Sequence, residues 1–249
     1  MGAVIFTASV VSAIFKGMDT LKKINGYSKF TFLVALFYSV NGFATGMVPE
    51  TSVLLVDAKN GEASMNVTNT DSLPSLLYTN IVDLPDSDKS VRLIVSQPVV
   101  RVEGGQVQRM RFLLQTSAPL KYEQLKRVTF EGIPPKEKGK DRVSVTVRQD
   151  LPVIIHPAGL VEETQPWKFL EWKKEGDRLI LSNPSDYVVR MTQVIKTLPS
   201  NKTGALNKTY MLPHTSTTVK LPTATDTQIE FYPASRYGYK GESQIAQLK

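Results

Sequence analysis

The chain has no cysteine, only two histidines and no apolar run of transmembrane length, and each shortage removes a class of function. Without cysteine there is no disulfide framework, no thiolate metal site and no thiol nucleophile. His156 and His214 lie far apart, and neither stands at metal-ligand spacing from a carboxylate or a second histidine. "DLPDSDKS" offers Asp83, Asp86 and Asp88 but lacks the glycine and closing glutamate of a calcium loop. "GIPPKEKGK" puts too many residues between its glycines for a phosphate-binding loop, and Asp141 stands where Ser or Thr would hold magnesium. There is no G-x-S-x-G elbow. The expectation is no catalytic residue, no metal and no cofactor. The formal charge is +7, yet its densest basic run, "KEKGKDR", is broken by Glu137 and Asp141. A nucleic-acid footprint concentrates on one face, so nucleic acid is not an expected partner.

The chain opens with a targeting pattern. "FTFLVALFYSV" (30–40) follows Lys22, Lys23 and Lys29 and precedes the small residues Gly42 and Ala44. A positive flank, a short greasy core and small residues predict a secretory signal cleaved after Ala44. A membrane-spanning helix needs roughly 20 apolar residues, so no stable membrane anchor is expected after cleavage. Met18 opens "MDTLKKINGYSKF", itself a complete signal beginning, which makes Met18 the expected translation start and leaves residues 1–17 outside the product. Residues 1–44 carry four Lys and one Asp, so the remainder has a net charge of +4.

From Val53 onward the texture is strand-like, with no helical period. "SVLLVDAKNGEASMNVTNT" reads as strand, Asn60-Gly61 turn and strand, a hairpin signal. "SLLYTNIVDL", "VRLIVSQPVVRVEGG", "VQRMRFLLQTS" and "YEQLKRVTFEGIPP" follow, and beyond Pro157 come "RLILSNPS", "YVVRMTQVIKTL", "KTYMLPHTSTTVKLP" and "TQIEFYPA". Turn signals about 8–12 residues apart predict an all-β chain of sandwiches. The 205 residues after Ala44 overfill one sandwich of ~100 residues. Two tandem domains are therefore expected, 45–156 and 157–249, divided where Pro157 and Gly159 interrupt the pattern.

Within "RVSVTVRQDLPVIIHP" (142–157), Val143, Val145 and Val147 fall on one face of an extended chain, with Arg142, Ser144, Thr146 and Arg148 on the other. Taken with "VTFEGIPP" (128–135), "LSNPSDYVVRMTQV" (181–194) and "YMLPHTSTTVKL" (210–221), this string resembles the PapD-like periplasmic pilus chaperones, in order and over the whole mature chain. The resemblance implies two immunoglobulin-like β-sandwich domains set as an L or boomerang. It also implies a periplasmic location, and partners that are pilus (fimbrial) subunits and an outer-membrane usher. The subunit would be capped by donor-strand complementation, without ATP or metal, Val143, Val145 and Val147 entering its groove.

The resemblance has departures. The family grips a subunit's terminal carboxylate with an Arg and a Lys. Ser52 and Pro152 hold those positions here, and neither forms a charge-assisted bond to a carboxylate. Arg148, four residues from Pro152 on the same strand face and ~13 Å away, is the candidate substitute. An interdomain ion pair of the family maps onto Glu123 and His156, histidine replacing arginine. Imidazole titrates near ~6.5, so that exchange predicts a pH-sensitive pair. The loop between "GIPP" and "RVSV" is short, which implies the branch associated with rod-like pili. The alternative is a secreted two-sandwich surface or adhesive protein, binding through "SRYGYKGE" with Tyr237 and Tyr239.

Overall fold

A computed structural model describes residues 46–135, 146–221, 225–239 and 241–249. Its strands, in chain order, are β1 (Met47–Pro49), β2 (Leu54–Asp57), β3 (Glu62–Asn69), β4 (Ser75–Asp83), β5 (Arg92–Val95), β6 (Val99–Val102), β7 (Val107–Gln115), β8 (Gln124–Ile133) and β9 (Arg148–His156). There follow β10 (Glu171–Glu175), β11 (Arg178–Asn183), β12 (Val189–Leu198), β13 (Thr203–Ala205), β14 (Tyr210–Met211), β15 (Thr215–Lys220), β16 (Gln228–Pro233) and β17 (Gln244–Gln247). One 3-10 turn, Pro166–Phe169, breaks this pattern among the described residues.

β1 to β9 form one hydrogen-bonded path, β5-β7-β3-β2-β9-β8-β4-β6, with β1 added on β3. The path doubles back on itself. Phe112 of β7 and Phe130 of β8 come from its opposite halves, yet their rings meet edge-on, 6.5 Å between centroids. Both are fully buried in a core that also holds Val56, Val67, Leu77, Val128, Val153 and Ile155. Period-2 alternation builds this core, as in β4, where Ser75, Leu77 and Thr79 are buried and Leu76, Tyr78 and Asn80 are exposed.

Two local readings needed the fold to complete them. The Asn60-Gly61 turn is present, with Gly61 at φ +69° where an L-residue is strained. β2 and β3, however, pair only at Asp57 and Glu62. β2 instead runs parallel to β9, Leu54 opposite Val153 through Asp57 opposite His156, and so stitches the two halves together. Likewise "VRLIVSQPVVRVEGG" is two strands. β5 pairs with β7 and β6 with β4. The chain changes layers at Pro98, which has no N–H to give a ladder.

The second domain stacks β10-β11-β15 against β13-β12-β16-β17, with β14 on β12. Trp172 of β10 and Phe231 of β16 bridge the two sheets, 5.4 Å between centroids. A third apolar cluster belongs to neither sandwich alone. Val53, Leu84, Leu125 and Ile154 meet Val188 and Leu212, all buried.

Candidate functional site

β9 is paired along nearly the whole of one edge but only part of the other. β8 lies along it from Arg148 to Ile155, whereas β2 begins only at Val153. Among the described residues, nothing pairs with the other edge of Arg148–Pro152. Such an edge carries unspent N–H and C=O groups and is a template for another strand. Pro152 is buried at the point where this open stretch ends. Odd positions of β9 face the core, with Val153 and Ile155 buried in it and Leu151 partly so. Even positions face the other way, and Ile154 joins the interdomain cluster.

Val143 and Val145 lie outside the described residues. Val147, just before β9, is 50% exposed. Arg148 is exposed and donates through Nε to Glu131 Oε2 at 2.8 Å, its direct neighbour across the ladder. Ser52 donates its hydroxyl to the Tyr237 carbonyl at 2.6 Å. The loop around Tyr237 sits so close that a Cβ on Gly238 would come within 2.7 Å of Ser52 Oγ. That hydroxyl is therefore already committed to the second domain.

Glu123 is the hub between the domains. Its side chain is 1% exposed, and three donors converge on it. His156 Nδ1 and Arg236 Nη1 each lie 2.8 Å from Oε1, and the Val188 N–H reaches Oε2 at 2.9 Å. The other imidazole nitrogen, Nε2, is 2.9 Å from the Leu160 carbonyl. Histidine at 156 thus does not leave the carboxylate without a guanidinium, because Arg236 brings one from the second domain. Arg236 supplies the carboxylate with a permanently charged partner. Arg236 lies in "SRYGYKGE", the string that also carries Tyr237 and Tyr239. Tyr237 and Tyr239 themselves are 58% and 74% exposed.

A second interdomain contact joins Asp86 to Tyr210, whose hydroxyl donates at 2.9 Å, and to Lys208. Burial pushes the Asp86 carboxyl up, but these two donors together hold it below the usual carboxylate value. Burial and the same contact push the Tyr210 hydroxyl up to about 12. Two further cations face the cleft. Arg127 is the cross-strand neighbour of Pro152 and is held by Asp150, Nε to Oδ1 at 2.6 Å. Arg190, on β12, borders a small depression with Ile154, Val188 and Ser235. No group of three metal-ligating side chains exists among the described residues. No helix there is long and apolar enough to cross a membrane.

Residues 46–161 match the family described as pili and flagellar-assembly chaperone, PapD N-terminal domain, and 165–245 match its C-terminal domain. The chain belongs to the PapD family of pilus-assembly chaperones. It is 68% identical over 219 residues to the uncharacterized fimbrial chaperone YhcA of Escherichia coli K12, covering 88% of this chain and 98% of that one. Identity to the E. coli chaperone protein FocC is 26% over 199 residues, 77% of this chain and 84% of FocC. In fold it is similar to a chain in the structure of the Salmonella enterica SafA pilin in complex with the SafB chaperone. The TM-score there is 0.67 at 19% identity, over 83% of this chain and 98% of that one. The family membership carries the two immunoglobulin-like domains with it, and the adhesive-protein alternative is not favoured.

Proposed function

We propose that this chaperone binds pilus subunits in the periplasm by lending them the strand that leads into β9, and passes them to an outer-membrane usher. The carrying observation is the open edge of Arg148–Pro152, paired on one side by β8 and on the other by nothing described. Main-chain hydrogen bonds to that edge supply affinity that tolerates sequence, and alternate side chains supply fit. Val143, Val145 and Val147 have the parity of Leu151, Val153 and Ile155. In an extended strand they would share the core-facing side and enter the subunit's groove. Burying each would contribute ~1.5–3 kcal/mol before ordering costs. Residues 1–44 serve as the export signal in this reading, with Met18 as the start and the domains dividing near Pro157.

The test is to co-express residues 45–249 with pilin subunits in the periplasm and recover the one-to-one complex. Wild type is expected to yield it, and folded Val145→Asp to yield at least ~10-fold less, since a carboxylate is costly in an apolar groove. Equal recovery from both would remove the valines from the subunit-binding face.

A further inference from the structure

The open edge of β9 is not bare. Residues of a strand send N–H and C=O together to one edge, alternating along the chain. The Ala58 N–H donates to the His156 carbonyl at 2.8 Å, which fixes the phase, and even positions of β9 address the β2 side. Arg148, Asp150 and Pro152 therefore address the stretch that β2 leaves open. Pro152 has no N–H to offer there. The Asp150 carbonyl is already engaged, because Arg127 Nη2 donates to it at 2.8 Å. The same guanidinium holds the Asp150 carboxylate, Nε to Oδ1 at 2.6 Å. Where the open stretch meets β2, one donor is missing and one acceptor is covered.

Nη2 of Arg127 touches an oxygen that points off the edge, so the guanidinium stands where an added backbone has to lie. Edges of this kind pair with other chains unselectively, and a charged side chain or a proline on the edge holds such pairing down. The arrangement is also reversible. The side chains of Arg127 and Asp150 are 33% and 48% exposed, so the guanidinium has room to swing. It can leave the carbonyl and keep the carboxylate, giving up one hydrogen bond and no ion pair. We infer that Arg127 guards the open edge: it covers the Asp150 carbonyl in the free chaperone and is displaced when a subunit strand is added. Among the described residues, no side chain covers the Arg148 carbonyl, so the guard acts on the end beside β2 alone. The inference rests on the subunit-chaperone reading above.

Two measurements test it on residues 45–249. The first needs no subunit. The carbonyl-carbon NMR resonance of Asp150 is expected to move upfield in Arg127→Met, as a carbonyl does on losing a donor. An unmoved resonance overturns the inference. In the second, differently tagged wild type and variant are co-expressed in equal amounts with a limiting pilin subunit. Folded Arg127→Met is expected to hold about 3- to 10-fold more of the subunit than wild type, the scale of one net hydrogen bond. Arg127→Lys keeps the charge but not the fork that spans carboxylate and carbonyl, and is expected to gain less. Arg111→Met, which breaks an exposed ion pair with Glu62 on another strand, is expected to share the subunit equally with wild type. Equal sharing by Arg127→Met overturns the inference, and so does a deficit, which would make Arg127 a direct contact of the subunit. An equal gain in Arg111→Met overturns it too, because the effect would then be one of net charge. If no variant and no wild type holds a subunit, the chaperone reading itself fails, and the inference with it.

Discussion

Glu123→Ala is expected to destabilise the chain by about 3–5 kcal/mol, the cost of removing one partner from a buried ion cluster. Three donors lose their acceptor at once, namely His156 Nδ1, Arg236 Nη1 and the Val188 amide. The side chains of Arg236 and His156 are only 11% and 14% exposed, so water restores little. The loss should appear in denaturant unfolding and as faster proteolysis between the domains, because these contacts hold β8 to the start of β12. Replacing Arg236 by Met in the same chain should return part of the loss, since it removes the stranded charge. A Glu123→Ala chain within about 1 kcal/mol of wild type would mean that the apolar cluster around Ile154 and Val188 holds the domains without it.

The second large effect belongs to the C-terminal sandwich. Trp172 is 1% exposed and packs on Phe231 at the centre of that core. Trp172→Ala is expected to cost about 3–5 kcal/mol through lost transfer energy and the cavity left behind. Its indole nitrogen has no hydrogen-bond partner, so Trp172→Phe gives up no hydrogen bond and relieves a buried polar group. The phenylalanine variant should therefore lose much less than the alanine variant, about 1–2 kcal/mol for the smaller volume. A phenylalanine variant that loses clearly more than about 2 kcal/mol would show that the indole N–H is satisfied in solution.

Much of the fold was legible in the sequence because strands report themselves locally. Alternation, β-branched runs and turn residues marked β2 to β9, β11, β12, β14 to β16 and the tight turn at Gly61. They did not mark β1, β10, β13 or β17, which are short or, like Glu171–Glu175, mostly charged. The unreadable parts were those set by partners distant in the chain. Whether Leu54–Asp57 pairs with the next strand or with one nearly a hundred residues on is decided by which layers must be joined, not by its own side chains. Pro98 was a local signal for the change of layers between β5 and β6, and its missing N–H is the reason.

The candidate site divides in the same way. The valines ahead of β9 stand out by period-2 alternation, Val143 and Val145 lie outside the described residues, and the open edge of Arg148–Pro152 supports the use proposed for them. Arg236 and Arg190 carried weaker signals. Arg236 stands 113 positions from Glu123, and no spacing rule links residues so far apart. Arg190 had a local mark, as a lone cation in the apolar run "DYVVRMTQV". On a strand it faces away from Val189 and Met191, both buried, and so reaches the neighbouring domain. Ser52 was identified by position, but its bond to the Tyr237 carbonyl depends on domain packing that the sequence does not display.

The absence of cysteine makes the central claim directly measurable. Single cysteines at Val143, Ser144, Val145, Thr146 and Val147, each tested for a disulfide to one cysteine placed in a pilin's groove, read the face of the lent strand residue by residue. Donor-strand binding predicts crosslinks from positions 143, 145 and 147 and little from 144 and 146, because alternate side chains of a strand point to opposite faces. Crosslinks from 144 and 146, or equal yields from all five, would contradict it.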